Sequence, residues 1–179
     1  MINRTPDLIA ESIKELMKKK TLAQISVKDI CEKAGIQRPT FYYYFKDKYD
    51  LVAWIFLSDA KDKDITSVAE STQSLNHMKE EYVFYKRSYE DISQNPLWQY
   101  MLDYFVERYT QIALERAGSD VLSPQLSFDI QLYCYGCVAM TKEWLLYDNI
   151  TSAATEAAML AASMPEQLKE ILNRNSYFC

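Results

Sequence analysis

Apolar residues recur at helical spacing along most of this chain. Ile9, Ile13, Leu16 and Met17 fall at i, i+4, i+7 and i+8 and form one stripe. Ahead of them Thr5 is placed to cap, Pro6 suits the first helical position, and Asp7 lies where the helix dipole favours an anion. Lys18, Lys19 and Lys20 close the last turn. After a link from Thr21 to Ile25, Ser26 and Asp29 read as a capping box. It opens a short helix with Val27, Ile30, Cys31 and Ala34 inward and Gly35 as its stop. Ile36, Gln37 and Arg38 make a turn, Pro39 starts a third helix running to Phe45, and Asp47 caps a fourth with the stripe Leu51, Val52, Ile55 and Phe56.

Beyond a polar stretch ending at Ser74, Leu75, Met78, Tyr82, Tyr85, Tyr89 and Ile92 alternate spacings of three and four. Asn95-Pro96 opens the next helix, with Leu97, Met101, Tyr104, Phe105 and Ile112 inward. Gly118 and Ser123-Pro124 bracket a loop. A helix from Gln125 to Tyr147 and another from Ser152 to Leu172, bent at Pro165, complete the pattern. A domain boundary near Lys48 divides it into residues 1–48 and 49–179, with the fourth helix bridging the two.

Composition narrows the class. Three glycines and five prolines in 179 residues leave little for tight β-turns and nothing for a glycine-rich phosphate loop. The expectation is an all-α protein. The single histidine, His77, removes the usual His-based triads and metal cages and reads as a surface or boundary residue. No cofactor motif is present. The longest nearly unbroken apolar run, Tyr133 to Met140, is far short of the roughly 18 residues that span a bilayer. No signal-peptide core follows the polar start, and Cys31, Cys134, Cys137 and Cys179 are too scattered for a disulfide framework, so the reduced cytoplasm is expected. Cys134 and Cys137 form C-x-x-C, but lie at i, i+3 on one helix without a second pair, and read as small buried thiols.

The net charge of −5 hides a split. Residues 1–50 hold ten Lys/Arg against seven Asp/Glu, for +3, and the remainder carries −8. Exposed fields fade over about 8–10 Å in physiological salt, so a local basic face can act on an acidic protein.

The short helix, glycine-ended turn and second short helix have the form of a helix-turn-helix. At 100° per residue Phe41 and Phe45 share one face, Tyr43 points directly away, and Tyr42 and Tyr44 flank it on either side. Three consecutive tyrosines cannot all enter one core. In a duplex groove Pro39, Thr40 and Tyr43 would meet base edges, Gln37 and Arg38 would reach adenine and guanine edges, and Tyr42 and Tyr44 would donate to phosphates. Lys48 adds a cation at the start of the fourth helix, and Ser26 and Lys28 would hold the backbone on the other side. The same run also fits a half-buried surface in a chain with fourteen tyrosines.

The segments Ile25-Ser26-Val27-Lys28-Asp29-Ile30, Ala34-Gly35-Ile36 and Thr40-Phe41-Tyr42-Tyr43-Tyr44-Phe45-Lys46-Asp47-Lys48, with Leu51, resemble the DNA-binding domain of TetR/AcrR-type transcriptional regulators over residues 5–55. The resemblance implies a three-helix head, joined by the fourth helix to a helical ligand and dimerisation body, acting as a homodimeric repressor on a near-palindromic double-stranded DNA operator. It places Tyr42 and Lys48 at phosphates, and Gln37, Pro39, Thr40 and Tyr43 toward bases. Tyr44, where histidine is usual, and Pro39, where small residues are frequent, depart from the common pattern. Gly136, Trp144 and the helix after them are similar to a subgroup related to regulators of dihydroxyacetone kinase operons, which implies a protein effector as an alternative to a small molecule.

The last two helices carry Cys134, Gly136, Cys137 and Ala139, then Ala153, Ala154, Ala157, Ala158, Ala161 and Ala162, small residues that suit a seam with a second subunit. Burial within one subunit is the alternative. Tyr82, Tyr85, Tyr89, Trp98, Tyr100, Tyr104, Tyr109, Tyr133 and Trp144 combine apolar area with polar tips and are candidates for a ligand pocket, or plain core. No membrane partner is expected. Two other functions compete with the regulator: a helical interaction module that keeps the head without binding DNA, and an enzyme, for which no nucleophile–base constellation is found.

Overall fold

The helical periods become ten α-helices among the described residues, 4–91, 96–148 and 150–173, of a computed structural model. They are α1 (Thr5–Met17), α2 (Val27–Ala34), α3 (Arg38–Tyr44), α4 (Lys48–Ala60), α5 (Val68–Glu80), α6 (Tyr82–Tyr89), α7 (Leu97–Ala117), α8 (Pro124–Tyr147), α9 (Ala153–Ala162) and α10 (Glu166–Leu172). A 3-10 turn, Leu22–Gln24, lies between α1 and α2. No strand occurs among the described residues.

Local chemistry sets most boundaries. Ser26 caps α2 by accepting the Asp29 N–H at 3.2 Å, while the Asp29 carboxylate accepts the Ser26 N–H at 2.8 Å. Gly35 ends α2 at φ 66°, a left-handed conformation in which a side chain would be strained, and Ile36 N–H then donates to Cys31 O at 3.0 Å. Asp47 caps α4 by accepting from Tyr49 N and Asp50 N at 2.8 and 2.9 Å.

Several boundaries differ from the sequence expectation. Arg4, not Thr5, is the N-cap of α1, because the Arg4 carbonyl already accepts the Leu8 N–H. The third helix begins at Arg38, with Gln37 as its N-cap. The stripe from Leu75 is broken at Glu81, whose backbone leaves the helical region and whose carboxylate pairs with Lys14 at 3.5 Å. Ile92 and Asn95 lie outside the described residues, as does Cys179. The last helix is not bent but divided at Pro165, where the missing N–H and the ring stop the ladder. Leu16 and Val27 are half-buried instead of inward.

The chain divides into two compact units, residues 1–62 with 78–100, and residues 63–77 with 101–179. In the first, α1 packs on α2, α4 and α6, and α2 on α3. Its core holds Ile9, Ile13, Met17, Ile25, Ile30, Phe41 and Leu51, all fully buried. Lys14 braces α1 against the start of α6, with its ammonium 5.9 Å from the Phe84 ring. In the second unit α8 packs on α9 and α10 around Ile130, Cys134, Leu145 and Leu168.

Candidate nucleic-acid interface

The face of α3 that leaves the core is aromatic and polar. Phe41 and Phe45 are buried, and Phe45 meets Trp54 of α4 edge-on at 5.5 Å. Burying a ring of this size is worth about 2–3 kcal/mol, so the pair fixes the rotation of the helix about its axis. Tyr43 is thereby turned out and is 80% exposed, and Tyr42 is exposed beside it. Tyr44 is half-buried, with its ring edge-on to Tyr43 at 4.8 Å, so the exposed ring is propped by its neighbour. Gln37, Arg38 and Pro39 are exposed at the start of α3, and Thr40 is half-buried. These seven residues therefore lie on one short helix and its cap.

Ser26 and Lys28 are exposed at the start of α2, but both are engaged. The Ser26 hydroxyl belongs to the capping box, and Lys28 lies 3.6 Å from Glu32 one turn on. The Ser26 hydroxyl and N–H, with Lys20 at 3.2 Å, hold the Asp29 carboxyl well below its usual range. Lys48 has a different environment from the one the sequence suggests. Its ammonium donates to the carbonyls of Leu22 and Ile25 at 2.7 and 2.8 Å, and of Ala23 at 3.3 Å. No spacing rule reveals a bond between residues 23 or more positions apart.

The candidate pocket residues are distributed over both units. Tyr82, Tyr85, Tyr89, Trp98 and Tyr100 belong to the first and Tyr104, Tyr109, Tyr133 and Trp144 to the second. Tyr85 and Tyr89 are buried, Tyr82 and Tyr104 half-buried, and Trp98 exposed. The polar tips of three others are used within the second unit. Tyr133 donates to Leu160 O at 3.1 Å, Trp144 to Thr151 O at 2.9 Å and Tyr109 to Ile65 O at 2.9 Å. Cys134 is buried and Cys137 half-buried, and burial pushes their thiols up to about 12 and about 11, away from a reactive thiolate. His77 is half-buried. Among the described residues no group of three or more His, Cys, Asp and Glu is placed to hold a metal ion.

A second surface emerges on α8 and α9. Phe128, Leu132, Tyr135, Met140 and Tyr147 are exposed along α8, at spacings that keep them on one side, with Gly136 and Ala139 between them. On α9, Ala154, Ala158, Met159 and Ala162 are exposed, whereas Ala153 and Ala157 are buried. Of the small residues named from sequence, some thus line the core and others an outer stripe. Sequence spacing alone does not separate the large apolar side chains of that stripe from the core. Their signal is a second apolar stripe on a helix that already has one. No helix among the described residues is long and apolar enough to cross a membrane.

Comparison with known proteins agrees with this arrangement. A family model described as Bacterial regulatory proteins, tetR family, matches residues 9–55, and one described as Transcriptional regulator C-terminal region matches residues 70–174. Over 55 residues the chain is 46% identical to the HTH-type dhaKLM operon transcriptional activator DhaS of Lactococcus lactis subsp. lactis. The aligned stretch is 31% of this chain and 29% of that protein, so the likeness spans less than a third of the relative. A solved structure, Dihydroxyacetone kinase operon activator DhaS, is similar over 93% of this chain and 97% of its own, with a TM-score of 0.65 and 25% identity.

Proposed function

This chain belongs to the TetR family of bacterial regulatory proteins, and from that premise we propose that it binds a near-palindromic operator as a homodimer under the control of an effector. It is a DNA-binding transcriptional regulator and not an enzyme. Residues 1–48 form the DNA-binding domain in this proposal, and residues 49–179 the regulatory and dimerisation body. The carrying observation is the outward face of α3, where Tyr43 stands exposed opposite two buried phenylalanines. In the duplex groove Gln37, Arg38, Pro39, Thr40 and Tyr43 face base edges, and Tyr42 and Tyr44 donate to phosphates. Ser26 and Lys28 approach the backbone from α2.

The exposed apolar stripe of α8 and α9 supports the homodimer, since a second copy would remove it from water. Two such heads read half-sites about 34–36 Å apart, or a multiple of that distance. Effector control, by a small molecule or a partner protein, rests on the family. It requires that the effector bind one separation of the two heads more tightly than another. The cytoplasm is the compartment this function needs. Repression is the reading the sequence resemblance favours, and activation is the second reading, favoured by the names of both relatives.

The test is anisotropy of a labelled mixed-sequence duplex against salt. A linear fall of log K with log salt supports the reading. Absence of any slope would favour the interaction module that keeps the head without binding DNA.

A further inference from the structure

The chain passes between its two units three times, at residues 62–63, 77–78 and 100–101. Two of these passages lie inside α5 and α7, where the helix's own hydrogen bonds hold the backbone. The first does not. It follows the end of α4 and runs through residues 61–67, which form turns and no helix. Side chains hold this stretch instead.

Part of the fixation is local. The Asp64 carboxylate accepts the N–H and the hydroxyl of Thr66 at 2.9 and 2.7 Å, and Asp64 O accepts the Ser67 N–H at 3.0 Å. The Glu70 carboxylate accepts the Asp64 N–H at 2.6 Å. The rest comes from α7. Tyr109, 6% exposed, donates its hydroxyl to Ile65 O at 2.9 Å, and that carbonyl accepts no backbone N–H among the described residues. Burial pushes the Tyr109 phenol pKa up and keeps it a donor. Its ring meets the Tyr133 ring of α8 edge-on at 5.7 Å, and the Tyr133 hydroxyl is bound to Leu160 O of α9. The aim of Tyr109 is thus set by α8 and α9. The Thr66 hydroxyl and N–H, with Arg116 and Arg108 of α7, hold the Asp64 carboxyl below its usual range, which adds an electrostatic tie to the same helix.

We propose that Tyr109 is a positioning residue for operator binding, which pins the stretch between α4 and α5 onto α7 and so fixes the far end of α4. This rests on the reading of the chain as a homodimer with two DNA-contacting heads. In such a dimer a fixed end of α4 limits the separations at which both heads bind together, and a released end relaxes that limit. A hydroxyl that only satisfies its own buried tip has a different signature. Its loss lowers stability and leaves the preferred half-site spacing as it was.

The experiment uses the full chain, its Tyr109→Phe and Ser152→Ala variants, a duplex recovered by selection from a random pool, and derivatives with one base pair added or removed at its centre. One base pair changes the half-site separation by about 3.4 Å and turns the half-sites by about 35°. Ser152→Ala removes the α9 cap, whose hydroxyl accepts the Thr155 N–H at 3.1 Å, and so weakens the same unit away from the latch. Tyr109→Phe keeps the ring and is expected to lower affinity for the selected duplex by about two- to tenfold, the range that one neutral hydrogen bond supports. Its preference for that duplex over the derivatives shrinks by a similar factor, whereas Ser152→Ala keeps the wild-type preference. An unchanged spacing preference in Tyr109→Phe, or an equal loss in both variants, would overturn the proposal. Hydrogen exchange in the DNA-free proteins is a second readout, independent of DNA binding. The amides of residues 64–67 should exchange faster in Tyr109→Phe than in Ser152→Ala or wild type, and equal rates in all three contradict the latch. Wild-type protein without affinity for any duplex would sink the functional reading, and the exchange rates would still judge the latch.

Discussion

Phe41 and Tyr43 are two residues apart on α3 and stand at opposite extremes, one with 0% of its surface exposed and the other with 80%. Two steps along a helix rotate a side chain by about 200°, so the burial of one ring compels the presentation of the other. Phe41→Ala should therefore cost about 3–5 kcal/mol and lower the thermal midpoint sharply. Tyr43→Ala should leave stability within about 0.5 kcal/mol of the parent. Calorimetry showing the reverse order would contradict the assigned faces.

The capping box at the start of α2 gives a pH signature. Asp29 is held below its ordinary value of 3.8 by the Ser26 hydroxyl and N–H and by Lys20. A depressed carboxyl stabilises the fold above its unfolded pKa, and that contribution disappears as acid protonates it. Ser26→Ala should lower stability at pH 7 by about 1 kcal/mol, and the difference should shrink as the pH falls below 4. Thermal melts of both proteins across that range check it; a difference independent of pH would count against the box.

Glu156 has the opposite sign. It is 3% exposed, its Oε1 has no hydrogen-bond partner among the described residues, and burial and the charge of Asp148 push its carboxyl pKa up. Between the unfolded value of 4.5 and the raised one, the folded chain binds a proton more tightly than the unfolded chain does. Its contribution is therefore most favourable below the unfolded value of 4.5 and is lost as the pH rises through the raised one. Glu156→Gln should raise stability at pH 7.5 by about 1 kcal/mol, with the gain vanishing in acid. A loss of stability at pH 7.5 would show that the carboxylate has a partner.

Where one apolar pair fixes the phase of a helix, the sequence was sufficient. Phe41 and Phe45 at i, i+4 oriented α3, and the Ser26–Asp29 box, Gly35 and Asp47 marked the ends of α2 and the start of α4. Elsewhere the information was tertiary. The break at Glu81 accompanies an ion pair with Lys14, and the fate of Lys48 depends on carbonyls far away in sequence. On α8 the phase was ambiguous, because Ile130 and Leu132 look alike in sequence although one is buried and the other exposed. A helix apolar on two sides does not reveal which side belongs to its own subunit.

That second side is open to test. Leu132→Lys places a charge in the middle of the exposed α8 stripe without touching the core. Sedimentation velocity should show a dimer for the parent and a monomer for the variant, with unchanged helical content. A variant that remains dimeric would locate the subunit contact elsewhere.

The most direct test of the central claim is selection of duplexes from a random pool by the wild-type protein and by Tyr43→Ala and Thr40→Ala variants. The account predicts a two-fold-related consensus for the wild type, and altered preference at the same positions of each half-site in the variants. An identical consensus from all three proteins would contradict the assignment of the α3 outer face to the bases.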